Sequence, residues 1–503
     1  MAEILIIGGG MSGLSAGIYG LLSGHSVTVC EKNRTSGGNL TGWYRDGYYI
    51  DNCIHWLTGT NPNTEYYKMW KTLGVLGGTG IYRPESLYTC GCCGITLSLY
   101  RDIERLESEM LSLSHVDERE TAKLIKAVKA IQKAEGIGGA AHNEKSTAAE
   151  KAASLPLLMK YRALTVGGLA ERFRHPLLRK FLSSFIPEYF GALALIFIFA
   201  EFCGNNADCP YGGSLAAAKR VERRFKELGG RLLLNKEAVR INVKNGAVSS
   251  VSFSDKDTIG ADHFIAAADP YYVFDRLTSL PLPEALAKQR ADNRYSRFSS
   301  CHAAFAFDGA ELPFSYDAAA EIPRGYQSAL GAGYMSLREF SHEPSFAPEG
   351  KTVIQTAVFC GETASADLIA LKNDGEEYKR KKESIAHCML KSAEAAFPKL
   401  KNRLTLLDVW TPSTYRDYFN SESGSYMGYA FSSGVTPKLM KNRVDGADNL
   451  ILATQWQRSP GGLPNAAYAG KLAIDTVNAS SGSGRRRIAA VKYGEAAAGT
   501  YKE

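Results

Sequence analysis

No apolar run in this sequence is long enough to cross a bilayer. Phe190–Ala200 comes nearest and ends at Glu201, whereas a spanning helix needs about 20 such residues. That run fits a buried core helix, the apolar wall of a substrate tunnel, or an edge that dips into a membrane surface. A disulfide framework is also missing. The ten cysteines follow no repeating spacing, and the chain enters a strand at Ile4 with no apolar leader before it, so reduced thiols in a cytoplasmic protein are expected. Cys90-Gly-Cys92-Cys93 is a cluster without the second pair that a structural zinc requires, so no metal is expected. Charge of one sign is scarce too. A net +7 over 503 residues is too mild for a dedicated nucleic-acid binder and compatible with weak attraction to an anionic membrane surface. The length exceeds one compact core, so two or more domains are expected. The 45% apolar and 22% charged composition is that of a globular chain.

What the sequence does have is glycine at the junction of a strand and a helix. Ile4–Ile7 is a continuous apolar run, as in a parallel strand buried on both faces. Gly8, Gly10 and Gly13 follow as Gly-x-Gly-x-x-Gly. In that pattern the first glycine permits the turn, the second lets a pyrophosphate approach the backbone, and the third allows close helix–strand packing. A helix over about 12–23, including Ser12, presents free N–H groups to that anion, with Met11 beside them. Ser26–Cys30 is the second strand, and Glu31 stands at its end, where a carboxylate can bind an adenosine ribose. Lys32 follows it.

Gly37-Gly38-Asn39-Leu40 comes next, then the strand Gly47–Asp51. Glu-x5-Gly-Gly followed by an apolar-Asp strand resembles the FAD-binding start of the phytoene desaturase, carotenoid isomerase and retinol saturase-like oxidoreductases of the amine oxidase superfamily. The resemblance implies that Gly37 and Gly38 lie against the FAD pyrophosphate and ribityl arm. Many relatives carry Arg where this chain has Asn39.

The middle of the chain carries no nucleotide signature. A helix is expected near Thr64–Leu76 and another over Arg101–Leu113. Asp117-Glu-Arg-Glu120 is expected as a capping box opening a helix with Leu124, Ile125, Val128 and Ile131 at helical spacing. Gly136–Ala153 is expected as a mobile loop or frayed helix. Pro-x-Gly-Gly at 210–213, a helix over Leu215–Leu228, then Arg231–Leu234, Ala238–Val243, an Asn245-Gly246 hairpin turn and Ala266-Ala-Ala-Asp-Pro270 resemble the family's second FAD segment. That implies a backbone contact from Val239 to the adenine. Strand-like runs at 301–307 and 352–359, with a helix near 376–396, are expected to form a sheet covering the flavin's reactive face.

Asp408-Val-Trp-Thr-Pro412 and Gly424–Gly428 resemble the family's Thr-Pro element and the turn after it. Tyr426 and Tyr429 then either line the substrate cavity or serve packing. Asn449–Trp456, Ser459-Pro-Gly-Gly-Leu-Pro464 and a helix over Asn465–Val477 make a second strand, turn and helix start suited to anionic charge. The resemblance implies that this helix points at the flavin ring, with Gln455, Gly462 and Leu463 nearby. Many relatives have Gly-Asp where this chain has Thr454-Gln455. From Ala479 onward a solvated tail is expected, its three arginines at 485–487 offering a membrane-surface role as the alternative.

The expected architecture is α/β, a discontinuous Rossmann-like FAD-binding domain of the amine-oxidase type with an inserted α+β substrate domain. Residues 1–75, 208–275 and 405–478 are assigned to the first, 76–207 and 276–404 to the second, and 479–503 to the tail. The implied activity is that of an enzyme with non-covalent FAD, acting by hydride transfer at flavin N5 on carbon–carbon bonds of an apolar polyene, isoprenoid or lipid-like substrate. Desaturation, saturation and isomerisation all stay open. The catalytic candidates are His55 and Tyr426. Two alternatives remain: an amine or amino-acid oxidase, and a flavin-free binder of the GDP-dissociation-inhibitor type. A peripheral membrane contact is allowed for, nucleic acid is not, and the oligomeric state is undetermined.

Overall fold

Ile4, Ile6 and Leu5, Ile7 point to opposite faces of one strand, and each pair finds its own apolar layer. The computed structural model, which describes residues 1–92, 94–133, 148–309, 311–431, 433–435 and 440–480, places Glu3–Ile7 inside a six-stranded sheet. The spatial order is 231–233, 26–30, 3–7, 263–266, 447–452 and 443–444. The first five run parallel and the edge strand Arg443–Val444 is antiparallel. Three distant parts of the chain therefore build one Rossmann-like sheet, as the glycine-rich segments imply.

On one face lie the helices Met11–Leu22 and Leu463–Ser480. They touch backbone to backbone: a Cβ on Gly470 would fall 2.4 Å from the Ser12 carbonyl oxygen, and Ser15 Oγ donates to Ala467 O at 2.6 Å. That contact ties the start of the chain to its end. On the other face Ala238, Ile241, Val251 and Phe274 complete the second apolar layer.

A seven-stranded sheet has the order 404–410, 299–308, 351–360, 334–339, 317–321, 86–92 and 95–100. Leu404–Trp410, which opens the third segment assigned above to FAD binding, pairs here with Ser299–Asp308. One face of this sheet packs on the helix Gly375–Ala396 through Phe305, Leu337, Ile385 and Met389. The opposite face turns Ser300, His302, Asp317, Ser336, Ala357 and Phe359 toward a cavity. The strands Ser299–Asp308 and Lys351–Cys360 are consequently buried along almost their whole length.

Helices at 103–113, 118–133, 148–162, 166–170, 176–183 and 192–203 lie in the 76–207 segment assigned above to the substrate domain. Asp117 does not serve as the expected cap of a capping box with Glu120. Its carboxylate accepts the amides of Arg174 and His175 at 2.7 and 2.9 Å and the Ser114 hydroxyl at 2.8 Å, so it fastens one helix start to a distant turn. Of the expected loop or frayed helix over 136–153, residues 148–153 belong to the helix Ala148–Arg162, and 136–147 lie outside the described residues. Cys93 and the tail beyond Ser480 also lie outside them. Among the described residues no helix is long and apolar enough to cross a membrane.

Candidate functional site

The turn after the first strand is held by glycines that touch each other. A Cβ on Gly13 would sit 1.9 Å from the Gly8 carbonyl oxygen, and one on Gly8, whose φ is +103°, would sit 2.7 Å from Ala267 O. Gly10 is different: a Cβ there would meet nothing nearer than 3.8 Å. Gly10 caps the first helix without any side-chain hydrogen bond, and Gly10, Met11 and Ser12 face the cavity. The first N–H groups of a helix have no intrahelical acceptor, so this end offers donors and a positive dipole to an anion.

Glu31 lies behind that turn. Its Oε2 accepts Gly9 N at 2.8 Å, and its Oε1 accepts Asn33 N and Nδ2, both at 2.9 Å. Gly37 N donates to Gly9 O at 2.8 Å, which lays Gly37-Gly38 along the turn. Asn39 reaches the same space: its Nδ2 donates to Tyr426 O at 3.2 Å, while its Oδ1 is buried without a partner. A buried acceptor facing a cavity is suited to a ligand that brings a donor.

The cavity measures about 680 Å³, within the roughly 300–1,000 Å³ of small-molecule sites. Its second helix end is built from Gly461, Gly462 and Leu463. Gln455 fixes that turn, accepting Gly462 N through Oε1 at 2.8 Å and donating through Nε2 to Tyr426 O at 3.1 Å. The structure thus gathers Gly10, Met11, Ser12, Gly37, Gly38, Asn39 and Leu40 with Gln455, Gly462, Leu463, His55 and Tyr426 around one space. Gly8, Gly13 and Glu31 stand behind its wall. Lys32 and Val239 do not line it. Lys32 Nζ donates to Asp417 O at 2.7 Å and Asn420 Oδ1 at 2.6 Å, and the Val239 side chain is solvent-exposed. Tyr429 is buried in the apolar layer around Trp456, its hydroxyl paired with that of Tyr271 at 2.5 Å.

The apolar end belongs to the helix Ala192–Cys203. Leu193, Ala194, Phe197 and Ile198 line the cavity, while Leu195, Ile196 and Phe199 are buried in the core. One helix thus serves as both core and cavity wall, and its run of large side chains on all faces follows from that double burial.

The opposite wall is polar. His302 stacks on Trp410, with centroids 4.6 Å apart and planes at 1°. Burial pushes its imidazole down to about 3, and burial followed by the nearby Arg338 and His302 lowers His55 well below the usual range. Both rings are therefore neutral near pH 7. Burial raises Asp269 to about 7, against the amides of Tyr271, Tyr272 and Glu422. It raises Asp317 to about 6, against the pull of Arg338. Tyr415 and Tyr426 place their ring centroids 5.5 Å apart.

Sequence reasoning missed Asp269, His302, Asp317, Ser336, Arg338 and Tyr415. A charged residue inside an apolar strand, as in Asp317-Ala-Ala-Ala and Met335-Ser-Leu-Arg338, was the available signal, because a buried ion must be paired to persist.

A family model described as flavin containing amine oxidoreductase matches residues 11–478. Chloroplastic prolycopene isomerase of Daucus carota is 24% identical over 458 residues, which span 84% of this chain and 71% of that protein. An oxidoreductase from Methanosarcina mazei superposes with a TM-score of 0.60 at 15% identity, covering 94% of this chain and 99% of that one. Cyclohexylamine oxidase from Brevibacterium oxydans superposes with a TM-score of 0.58 at 17% identity, covering 95% and 99%.

Proposed function

The chain belongs to the flavin-containing amine oxidoreductases, and we propose that within this family it binds FAD non-covalently and acts on a carbon–carbon bond of an apolar polyene, isoprenoid or lipid-like molecule. One observation carries the reading: a single cavity joins the glycine-rich helix start at Gly10–Ser12 to the apolar wall of Leu193, Phe197 and Ile198. The similarity to prolycopene isomerase points the same way.

The residues present fit the cofactor. The uncapped helix start at Gly10 would receive the pyrophosphate, Glu31 the ribose, and the unpartnered Asn39 Oδ1 a donor of the ribityl or ring portion. Leu463 and the helix it opens would face the ring, placing a dipole's positive end where negative charge develops on reduction. When bound, the flavin supplies the hydride transfer; the protein supplies binding, orientation and electrostatics. Phe197 and Ile198 exclude water, Gln455 holds the Gly461–Leu463 turn against Tyr426, and the neutral His55 and His302 add no charge beside the substrate. Leu155 and Met159 are exposed and line the cavity. We place substrate entry there, with a peripheral membrane contact as its source; failure to co-sediment with vesicles would remove the contact without touching the chemistry.

An amine oxidase is the second reading, favoured by the Tyr415–Tyr426 pair and by the fold shared with cyclohexylamine oxidase. The family match leaves no support for a flavin-free binder. The deciding experiment is a visible spectrum before and after anaerobic dithionite, acid precipitation to release the flavin, then incubation of the holoprotein with polyenes and with amines. A bleaching, acid-released flavin and a shifted polyene spectrum support the proposal. Peroxide release with an amine and unaltered polyenes would replace it with the second reading.

A further inference from the structure

Asp317 and Arg338 face each other across adjacent antiparallel strands, on the sheet face that turns toward the cavity. Asp317 lines that cavity and is only 3% exposed. Its Oδ2 accepts Arg338 Nη2 at 2.9 Å. Its Oδ1 is buried without any hydrogen-bond partner. Ser336, on the same face and also lining the cavity, adds a hydroxyl beside the pair. Arg338 Nη1 donates to the His55 carbonyl oxygen, and its Nε, likewise buried without a partner, makes no hydrogen bond to Oδ1. An acceptor in this state costs the protein free energy until something donates to it.

We infer that Asp317 is a specificity-determining residue that accepts a hydrogen bond from a neutral hydroxyl group at one end of an otherwise apolar substrate. The inference rests on the apolar-substrate reading above and narrows it to isoprenoid or lipid alcohols. A pure hydrocarbon leaves Oδ1 orphaned. An ammonium group gains little, because Arg338 already balances the Asp317 carboxylate, so the pair carries no net charge. The remaining lining toward Phe197 and Ile198 accepts the hydrocarbon part.

The test uses the flavin-loaded protein and four probes of one length: geranylgeraniol, its methyl ether, the hydrocarbon lacking the oxygen, and the primary amine. Binding is followed by perturbation of the visible flavin band. The alcohol is expected to bind roughly tenfold or more tightly than the ether and the hydrocarbon, and the amine no better than the alcohol. Asp317→Asn presents an amide, whose N–H₂ turns away from Arg338 into the cavity, so the ether is expected to gain on the alcohol until the two bind alike. Equal binding of alcohol and hydrocarbon to the unaltered protein would overturn this inference and leave the apolar-substrate reading standing. An amine that binds tightest and reduces the flavin, or no response to any probe, would overturn both. The comparison within the unaltered protein decides the matter even where the variant fails to fold.

Discussion

Arg338 and His55 are joined by a hydrogen bond from the guanidinium Nη1 to the histidine's carbonyl oxygen. The Tyr316 hydroxyl and Cys209 Sγ donate to the same oxygen, and Arg338 Nη2 holds Asp317. One buried cation thus fixes both a segment that lines the cavity next to the glycine-rich turn and the polar wall opposite. Losing it strands Asp317. Arg338→Met is expected to destabilise the protein by about 3–5 kcal/mol, because an unpaired buried charge remains. Adding Asp317→Leu is expected to recover part of that loss. Chemical denaturation of the single and double variants measures both, and a double variant no more stable than Arg338→Met would show that the pair is not the source of the cost.

Gly13 and Gly10 are expected to fail in different ways. Gly13→Ala forces a Cβ to within 1.9 Å of a backbone oxygen, so the strand–helix turn cannot close and the flavin part is expected to lose its cooperative melting. Gly10→Ala meets nothing nearer than 3.8 Å and has an ordinary φ of −74°. It is expected to leave the flavin-free protein's stability within about 0.5 kcal/mol while lowering flavin content. Full flavin retention in Gly10→Ala would show that no cofactor group approaches that Cα.

Glu31→Ala removes the acceptor assigned to the ribose and the one that holds Gly9 N. Flavin dissociation is expected to strengthen at least tenfold, a loss of about 1.4 kcal/mol. Equilibrium dialysis reads it directly, and unchanged affinity would count against the ribose assignment.

The contribution of Asp269 and Asp317 to stability is expected to fall as pH rises from about 4 toward 7, whereas His55 and His302, held neutral below the ordinary imidazole range, contribute a slope of the opposite sign. An unfolded aspartate loses its proton near about 3.9, whereas burial keeps Asp317 protonated up to about 6 and Asp269 up to about 7. Between those values the native state holds protons that the unfolded state has released, so each pH increment favours unfolding. The contribution is fully present below about 3.9 and gone above the raised values. Asp317→Asn is expected to remove this falling contribution and so make the slope between about pH 4 and 6 more positive. A slope identical to that of the unaltered protein would mean this carboxyl does not titrate there.

The sequence by itself determined the two glycine-rich strand–turn–helix segments, because their signals are local. A strand, a turn that only glycine can make, and a helix start must be adjacent in the chain. The Gly8–Gly13 and Gly461–Leu463 segments could therefore be located from spacing alone, and the cavity indeed gathers residues from both. The capping role of Asp117 was misjudged for the opposite reason: its partners, Arg174 and His175, are distant in sequence. Only the tertiary structure decided the polar wall. Ser299–Asp308 and Lys351–Cys360 are buried on both faces, so no alternation of polar and apolar residues marks which face meets the cavity. The register that sets Asp317 opposite Arg338, and Arg338 opposite Gln355, exists only once the strands pair. The same holds for the helix Ala192–Cys203, whose apolar run leaves core and cavity wall indistinguishable until packing assigns one side to each.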